Sequence, residues 1–511
     1  MKFISYDLGT GGVKASLYDE KLKTIERSFI EYQTYYPHSN YHEQRPEDWW
    51  RGVTESTKVL LEKSASDADE IACVSLSGQS LVALPIDKNG QLLMDQVPIW
   101  SDTRAGAEAE EFFSKIPEKE WYMTTGNGFP SPCYSLFKLM WIRKNMPDVF
   151  AKADKILGSK DYINYMLTGK MYTDHSYASG TGGYDLFAKS YKSEYIKAAE
   201  LSGELFPEIV PSHHVVGFIT KEAAAAVGLT EKTAVVCGGV DNACMALGAV
   251  GANDGSIYTS LGSSSWIPVN SKTPVLDWKL KPYVFAHIQE NMFTSAFSIF
   301  SGGSSFQWVR DELCKDLTSK GMSYDEMTKL AESVPIGSNG ILFNPSLAGG
   351  TAQDKSIHIR GAYVGIHLGT TREDMIRAAL EGITLNLKQS LNHLKQKTKV
   401  SDTMLISGGG SKSRFWMQMF ADVFDMNIVK TNIDQDTASL GAAAIAARGT
   451  GLWKNYDNID ALHEVENRSI PDKNAVEQYK RLFEVFVHAN DKIAELGDYM
   501  FRMQGWKEDS Q

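Results

Sequence analysis

Two aspartates beside glycine-rich turns are the residues best suited by type and spacing to do chemistry. Asp7 opens the segment "DLGTGG", and Asp241 follows two glycines in "GGVDN". Backbone N–H groups in successive tight turns form concavities that bind anions such as phosphate. A carboxylate aimed at bare phosphate is unfavourable, because two unit charges ~4 Å apart at an effective dielectric of ~20 repel by about 4 kcal/mol. We therefore predict that Asp7 serves Mg²⁺, directly or through water, and that the metal bridges to phosphate oxygens.

Asp241 has two interpretations. It comes just after a predicted buried strand, at the start of an alanine-rich helix, where an aspartate can cap the helix and contribute about 1 kcal/mol. A carboxylate there, opposite a phosphate site, can also act as a general base that accepts the proton of a substrate hydroxyl attacking the γ-phosphorus. The two roles are compatible, and the sequence leaves both open.

The elements around the first turn argue against two common nucleotide folds. β-Prone residues at 3–6 and 13–18 flank the turn and predict a hairpin. A P-loop instead runs from strand to loop to helix and ends in Gly-Lys-Ser/Thr, and a dinucleotide fingerprint also opens a helix. Further on, residues 46–64 predict an amphipathic helix, and residues 71–87 predict a strand, a glycine turn and a second strand. The first half is therefore predicted to be mixed α/β.

The second half repeats this pattern. Residues 255–269 again predict a strand, a small-residue turn and a strand, after a strand, a Gly-Gly turn and a helix at 235–250. A third glycine turn joins a strand to a helix within 404–424, and the last sixty residues are mainly helical in pattern. One such turn is weak support for a phosphate site, because turns use glycine simply to reach positive φ. Three of them, flanked by hydroxyl residues, favour two similar halves that bind phosphate.

Length and composition indicate a two-domain globular protein. A chain of 511 residues is too long for one ordinary core, so we expect domains at 1–247 and 248–511, with the boundary in the small, flexible stretch 246–256. The net charge of -11 disfavours general binding to nucleic acid or anionic membranes. Five scattered cysteines without CxxC spacing fit a reducing cytosol and give no metal signal. No apolar stretch approaches the roughly 18 residues of a membrane helix, and no signal peptide is visible, so a cytoplasmic location is predicted.

The order of these segments resembles that of the FGGY carbohydrate kinases, in the superfamily of sugar kinases, actin and heat-shock chaperones. The resemblance runs from about residue 3 to about residue 450. Its most specific stretches are "DLGTGGVKA", "SPCYSLFKLMWIRKN" and "GAYVGIHLGTTREDMIRAALEG". The segments "GGVDNACMALGA", "SLGSSSW", "GGSSFQWVRD" and "SGGGSKSRFWMQMFADV" also occur in the family's order. The resemblance implies an α/β fold of two ribonuclease-H-like domains, with ATP and substrate in the cleft between them.

The resemblance also implies a role for each matching residue. Asp241 would be the catalytic base, Asn242 would bind substrate hydroxyls, and Asp7 would serve Mg²⁺. The nucleotide side would be formed by the three turns and the segment at 302–311, through Thr10, Gly11, Gly12, Lys14, Gly262, Ser263, Gly303, Gln307, Gly409, Gly410 and Ser413. ATP and Mg²⁺ are the expected cofactors and a small sugar is the expected substrate. A homodimer is an expectation at the level of the family.

The substrate is where the sequence departs from the pattern it most resembles. The segments "SLSGQ", "IWSDTRA" and "GGVDN" resemble the xylulokinase branch, which implies phosphorylation of a ketopentose such as D-xylulose at its terminal hydroxyl. That branch continues Ser-Gly-Gln with Met-His, whose histidine contacts the sugar, whereas the candidate substrate-binding residues at these positions are Ser80 and Leu81 here. A site built to bond a hydroxyl discriminates strongly against ligands that lack it. L-Ribulose, L-fuculose, gluconate and glycerol therefore stay open, although the glycerol-kinase branch, with Arg-Glu at these positions, fits less well.

Two further alternatives stay open. Gln79, Asp102 and Arg104 are candidate substrate-binding residues, and each is equally consistent with a satisfied structural polar group. A noncatalytic ATP-binding switch of the actin type is also compatible with the glycine turns. Asp241 separates that switch from a kinase, because a switch needs nucleotide contacts but no base that faces an acceptor hydroxyl.

Overall fold

The computed structural model describes residues 1–128, 130–318, 324–434 and 436–504. The strands of the first half are β1 (Lys2–Leu8), β2 (Gly12–Tyr18), β3 (Thr24–Glu31), β4 (Tyr35–His38), β5 (Tyr41–Gln44), β6 (Ile71–Gly78), β7 (Leu84–Ile86), β8 (Val97–Pro98), β9 (Lys155–Leu157), β10 (Tyr172–Asp174), β11 (Tyr184–Asp185), β12 (Ser190–Tyr191), β13 (Glu208–Val210), β14 (Val215–Phe218), β15 (Ala234–Val236) and β16 (Gly239–Val240). Its helices are α1 (Pro46–Ser64), α2 (Gly106–Lys115), α3 (Glu118–Thr125), α4 (Ser135–Asn145), α5 (Pro147–Phe150), α6 (Ser159–Thr168), α7 (His175–Ala178), α8 (Ser193–Ala198) and α9 (Lys221–Val227).

The second half begins with the helix that follows β16. Its helices are α10 (Asp241–Val250), α11 (Gly303–Trp308), α12 (Lys315–Thr318), α13 (Tyr324–Glu332), α14 (Arg372–Lys397), α15 (Arg414–Phe424), α16 (Thr437–Gly449) and α17 (Lys473–Gln504). Its strands are β17 (Tyr258–Leu261), β18 (Ser265–Ser271), β19 (Tyr283–Ala286), β20 (Phe293–Ile299), β21 (Leu342–Asn344), β22 (Ala362–Val364), β23 (Thr403–Gly408), β24 (Asn427–Thr431) and β25 (Val465–Ser469).

The two halves are built on two sheets with the same central pairing. The first sheet has the order β14-β15-β6-β1-β2-β3, in which β1 is antiparallel to β2 and parallel to β6, and β16 extends the pairing of β6. The second has the order β19-β20-β18-β17-β23-β24-β25, in which β17 is antiparallel to β18 and parallel to β23. In each sheet the turn of the hairpin and the carboxyl end of the parallel strand reach the same edge, so loops from both gather there.

Alternate residues of β1 enter two separate cores, because successive side chains of a strand point to opposite faces. Ile4 and Tyr6 belong to the core that contains Trp49 of α1, and Tyr6 also bonds Thr57 of that helix at 2.7 Å. Phe3 belongs to the core formed with α10 and α16. The first sheet is thus covered on one face by α1 and on the other by α10 and α16.

The crossing of α10 and α16 is an unusually close helix contact. A Cβ atom added at Gly248 would lie 1.8 Å from the carbonyl oxygen of Thr437, and one added at Gly441 would lie 1.9 Å from that of Cys244. Only glycine permits backbones to approach so closely. Because α16 also packs on β1 and β6, this crossing joins the second half to the first sheet.

Most of the predicted elements are confirmed. The structure contains the first hairpin, the helix at 46–64, the second hairpin at 255–269 and the strand-to-helix units at 235–250 and 404–424. The second strand within 71–87 is β7, which pairs with β9 in a small separate sheet. The last sixty residues are mainly the helix α17, which follows the short strand β25. Residues 505–511 of that stretch lie outside the described residues.

The cysteines and the long helices add two observations. All five cysteines, which lie in the described parts of the chain, are buried and free of disulfide bonds. No helix within the described residues combines the length and the apolar character needed to cross a membrane.

Candidate active site

The first aspartate lies near the carboxyl end of β1. Asp7 pairs with Lys14 across the hairpin and with Ser77 of β6, whose Oγ donates to Asp7 Oδ1 at 2.7 Å. Burial raises the pKa of Asp7, and the Ser77 hydroxyl and the Lys14 charge offset that effect only in part. The carboxylate is therefore under-compensated within the protein, which suits a group that binds a cation.

The second aspartate directly follows β16. Gly239 of β16 pairs with Ser77 on one side of β6, and Asp7 pairs with the same residue on the other side. The two aspartates therefore leave one edge of the sheet on either side of β6. The Asp241 side chain is partly buried, and its burial, followed by the charge of Asp7, raises its pKa to about 7. A carboxylate with such a pKa is well suited to accept a proton near neutral pH.

The capping interpretation of Asp241 is wrong. Val240 occupies the N-cap position of α10, and Asp241 is the first residue of the helix. Its Oδ1 accepts a hydrogen bond from the N–H of Asn242 at 2.7 Å, whereas a capping side chain bonds an N–H two or three residues further on. Asn242 is half-buried beside it, at the same edge of the sheet.

Thr10 ties the first turn to two other loops. Its carbonyl oxygen accepts from Gln44 Nε2 at 2.7 Å, and its Oγ1 accepts from Trp100 Nε1 at 2.9 Å. The Oε1 atom of Gln44 accepts in turn from Gln79 Nε2 at 2.7 Å. Gln79 is itself buried, so it supports the first glycine turn through Gln44.

The tips of both hairpins are open. Gly11 in the first, and Gly262 and Ser263 in the second, are exposed, while Gly12 begins β2. The N–H of Gly303, at the start of α11, donates to the carbonyl oxygen of Gly262 at 2.9 Å. A Cβ at Gly303 would lie 2.3 Å from that oxygen, so only glycine fits there.

A cavity of about 480 Å³ lies between the second hairpin, α11, α13 and the third glycine turn. Its lining includes seven residues assigned to the nucleotide from the sequence, which are Gly262, Ser263, Gly303, Gln307, Gly409, Gly410 and Ser413. It also includes three aromatic residues that sequence reasoning missed, Phe306, Tyr324 and Trp416. Phe306 and Trp416 stand in segments that the family resemblance already marks, whereas no motif marks Tyr324. Ser413 caps α15 by accepting from the N–H of Trp416.

Lys14 faces a second cavity, of about 550 Å³, whose lining also includes Arg27, Lys412 and Asp436. Lys14 Nζ lies 3.9 Å from Asp436 Oδ1, and a guanidinium nitrogen of Arg27 lies 2.6 Å from Asp436 Oδ2. Asp436 immediately precedes α16, so these ion pairs join the first sheet to the second half. Lys412 lines both cavities, which makes them neighbours.

Ser80 and Leu81 belong to a turn that is stabilised by a hydrogen bond from the buried Lys138. Leu81 has a φ of 62°, in the left-handed region, and packs against the core of the first half. Lys138 is fully buried, and its Nζ donates to the carbonyl oxygens of Leu81 at 2.9 Å and Ile99 at 2.5 Å. Burial is the main cause that lowers the pKa of Lys138 to about 8. Because Ile99 precedes Trp100, one amino group joins the turn at Leu81 to the loop that presents the indole.

Asp102 and Arg104, assigned to the substrate from the sequence, form a buried ion pair. The Arg104 guanidinium donates to Asp102 at 2.7 to 3.0 Å and to Glu43 Oε1 at 2.6 Å, and it lies 3.9 Å from the centre of the Tyr41 ring. Asp102 and Arg104 thus satisfy each other's hydrogen-bonding groups and stabilise the loop that contains Trp100. The residue that this loop exposes is Trp100, 45% exposed, which sequence reasoning passed over although it stands in "IWSDTRA".

Residues 1–128, 130–318, 324–434 and 436–504 hold no cluster of three or more histidine, cysteine or acidic side chains arranged to bind a metal. Mg²⁺ does not require one, since it is commonly bound by one or two carboxylates together with substrate phosphates and water. The Asp7 carboxylate, at the carboxyl end of β1, is a donor of that kind.

Comparison with known proteins supports the same assignment. The chain is similar to a xylulose kinase of Bacillus subtilis. The two sequences are 30% identical over 497 residues, which cover 96% of this chain and 98% of that one. A gluconokinase of the same species is 27% identical over 506 residues, 97% of this chain and 98% of that one. The solved structure of a ligand-bound xylulose kinase from Lactobacillus acidophilus matches with a TM-score of 0.89 and 25% identity, over 96% of this chain and 98% of that one.

The family itself follows from two domain models. The N-terminal domain model of the FGGY family of carbohydrate kinases matches residues 3–248, and the C-terminal domain model matches residues 257–450. The predicted α/β fold of two similar domains is confirmed by the two sheets and by the structural neighbour. FGGY kinases use ATP as phosphate donor. The chain therefore belongs to the FGGY family of carbohydrate kinases and is an ATP-dependent sugar kinase.

Proposed function

We propose that the protein transfers the γ-phosphate of ATP to the terminal hydroxyl of a ketose, with a pentulose such as D-xylulose as the first candidate, and that Asp241 is the base. The observation that carries the proposal is the position of Asp7 and Asp241 on either side of β6 at one edge of the first sheet. The raised pKa of Asp241, about 7, supports its part, because a base works best with a pKa near the operating pH.

In the proposed reaction, Asp241 accepts the proton of the sugar hydroxyl as its oxygen attacks the γ-phosphorus. The new bond between that oxygen and phosphorus forms while the bond from phosphorus to the bridging oxygen of ADP breaks. The products are the sugar phosphate and ADP, and Asp241 releases its proton to water. Asn242, the next residue, would orient the sugar hydroxyls. The open amides of the two hairpin tips would stabilise charge on the transferred phosphoryl group.

Asp7 would hold Mg²⁺ in this scheme. Asp7 Oδ1 accepts a hydrogen bond from the Ser77 hydroxyl. Burial raises the pKa of Asp7, so a nearby cation would stabilise its charged form. When bound, Mg²⁺ would offset the negative charge of the triphosphate beside two carboxylates. The protein's own contribution is to keep the Asp7 carboxylate fixed by Ser77 and Lys14 at the base of the turn.

The nucleoside would occupy the 480 Å³ cavity. Its volume lies within the usual range of small-molecule sites, roughly 300–1,000 Å³. Phe306, Tyr324 and Trp416 offer flat apolar surfaces for a purine, and Asp325 and Thr328 offer polar atoms for ribose hydroxyls. The triphosphate would then run past Lys412 toward the two hairpin turns.

The sugar would lie against the turn at Leu81 and the indole of Trp100, which Lys138 holds together. A xylulose kinase and a gluconokinase are both similar to this chain over most of its length, so a sugar acid is the second candidate. Leu81 favours neither by charge, because its side chain offers no hydrogen bond to a hydroxyl or a carboxylate.

The test is an ADP-release assay coupled to identification of the phosphorylated product. Purified protein with MgATP is screened against D-xylulose, L-ribulose, L-fuculose, gluconate and glycerol, with a no-sugar control for ATP hydrolysis. We expect a stoichiometric sugar phosphate, with the highest kcat/KM on a ketopentose. ATP binding without transfer to any sugar would favour the noncatalytic switch. Transfer to gluconate alone would move the proposal to the sugar acid.

A further inference from the structure

A group of charged side chains lies buried beneath the turn that leads to Asp241. Lys160 Nζ donates to Asp161 Oδ1 at 2.6 Å and lies 3.1 Å from Asp174 Oδ1, and all three residues are at most 1% exposed. Burial disfavours the charged form of Lys160, but the two carboxylates outweigh it and hold its pKa well above the usual value. Removing three charges from water is costly, and the reaction proposed above uses none of them.

This buried group is hydrogen-bonded to Cys237, the first residue of the turn at 237–240. The carbonyl oxygen of Cys237 accepts from Asn164 Nδ2 at 2.8 Å and from Lys160 Nζ at 3.3 Å. Cys237 immediately follows β15, so two donors of α6 fix the point where the chain leaves that strand. The amino group that lies between the carboxylates therefore also holds the backbone.

The same group is linked through Ser176 to Val240, the last residue of the turn. The Oγ atom of Ser176 donates to Asp174 Oδ2 at 2.5 Å and accepts from the N–H of Val240 at 3.0 Å. A hydroxyl has one hydrogen to donate. Because Asp174 takes that hydrogen, the lone pairs of Ser176 are left for Val240, the residue directly before Asp241.

The turn between these two points has little freedom to move. Gly238 has a φ of +75°, and a Cβ there would lie 2.2 Å from the carbonyl oxygen of Leu76. A Cβ at Gly239 would lie 2.4 Å from the terminal methyl group of Ile288. With both glycines confined, a change in the hydrogen bond at Val240 passes directly to Asp241.

We propose that Ser176, oriented by Asp174 and Lys160, is a positioning residue that fixes the backbone from which the Asp241 carboxylate projects. The inference rests on the proposed function, because it gives Asp241 the role of base. Positioning on the scale of 1 Å matters, since a misplacement of that size can cost about 10²-fold in rate. A lost partner would also leave a buried N–H unsatisfied at Val240, a cost of about 1–3 kcal/mol that favours a shift of the turn.

The chain offers a matched control for this role. Ser212 Oγ donates to the same atom of Asp174, Oδ2, at 2.8 Å. Its own contact with the turn is made by its backbone carbonyl oxygen, which accepts from the N–H of Gly238 and is kept when the side chain is changed. Ser212→Ala therefore removes one hydrogen bond to Asp174, as Ser176→Ala does, but leaves the backbone of the turn in place.

The experiment compares wild type, Ser176→Ala and Ser212→Ala in kcat, in the KM values for sugar and MgATP, and in melting temperature. We expect Ser176→Ala to lower kcat about 10- to 100-fold, with both KM values within about 2-fold, and Ser212→Ala to keep kcat within about 2-fold. Ser176→Ala should lose more thermal stability than Ser212→Ala, because it also leaves the buried N–H of Val240 without a partner. Equal kcat values in the two variants would overturn the inference.

A second measurement is independent of activity. Hydrogen exchange of the peptide that contains Val240 should be faster in Ser176→Ala than in Ser212→Ala, because only the first variant frees that N–H. If the wild type phosphorylates no sugar, the proposed function fails, and unequal exchange still supports the structural link. Equal exchange in the two variants overturns that link whether or not the enzyme is active.

Discussion

Asp7 and Asp241 leave the carboxyl edge of the first sheet on either side of β6, where Asp7 and Gly239 both pair with Ser77. Like charges at such positions favour protonation of one of the two groups. Burial, and then the charge of Asp7, raise the pKa of Asp241 to about 7. The arrangement gives one carboxylate suited to a cation and one suited to a proton.

The pH dependence of catalysis should report this raised pKa. A base acts in its deprotonated form, so kcat/KM for MgATP should fall tenfold per unit below about pH 7 and level off above it. This parameter is chosen because it reports the enzyme before nucleotide and metal bind. Asp7→Asn removes the neighbouring charge and should move the acid limb of its residual activity to lower pH. An acid limb that stays in place in Asp7→Asn would contradict the coupling.

The free energy of unfolding should also depend on the protonation of Asp241, but it should be higher at low pH, where catalysis is slower. A carboxyl group whose pKa is higher in the folded than in the unfolded state stabilises the fold below the unfolded pKa and loses that contribution as pH rises through about 7. Asp241→Asn should therefore raise the free energy of unfolding by about 1–3 kcal/mol at pH 8, and by less at pH 5. The check is the melting temperature of both proteins at the two pH values. An equal gain at both values would argue against a buried, charged Asp241.

Lys138 should control sugar binding without touching the nucleotide. Lys138→Met removes the donor to the carbonyl oxygens of Leu81 and Ile99, and each unsatisfied carbonyl costs about 1–3 kcal/mol. We expect the KM for sugar to rise about 10-fold or more while the KM for MgATP stays within about 2-fold. Lys144→Met is the control on the same helix, because the Lys144 side chain is 38% exposed and its ion pairs are made to Glu108 and Glu111 of α2, not to the carbonyl oxygens of Leu81 and Ile99. Equal rises in both KM values would point to a general loss of structure.

The close crossing of α10 and α16 should depend on glycine. Gly248→Ala would place a methyl group 1.8 Å from the carbonyl oxygen of Thr437, so the helices must separate, at a cost of about 1–3 kcal/mol. The melting temperature should fall by several degrees. Gly106→Ala, at the start of α2, is the control, because a Cβ there meets no atom within 4 Å. Similar melting temperatures for Gly248→Ala and wild type would show that the crossing can relax.

Local features of the fold could be predicted from the sequence. The first hairpin follows from glycines between two β-prone runs, and α1 begins at Pro46, whose fixed φ favours the first turn of a helix. The resemblance to the FGGY family also named seven residues that the structure brings together around one cavity. These features depend on residues close together in the chain.

Features set by distant contacts could not be predicted. Nothing in the sequence of α16 indicates that it packs on the first sheet, since its small residues suit many partners. Asp102 and Arg104 have the side chains of a polar pocket, yet they bond each other because Tyr41 and Glu43 approach them from β5. The exposure of Trp100 is a consequence of that same packing.

The central claim is that Asp241 is the base. The most direct test is to measure both kcat and the dissociation constant for ATP in Asp241→Asn. Asparagine keeps the size of the side chain but cannot accept the sugar proton in the required pH range. We predict a fall in kcat of about 10³-fold or more, with ATP bound within about 3-fold of wild type. A variant that phosphorylates sugar at more than about a tenth of the wild-type rate would contradict the assignment of Asp241 as the base.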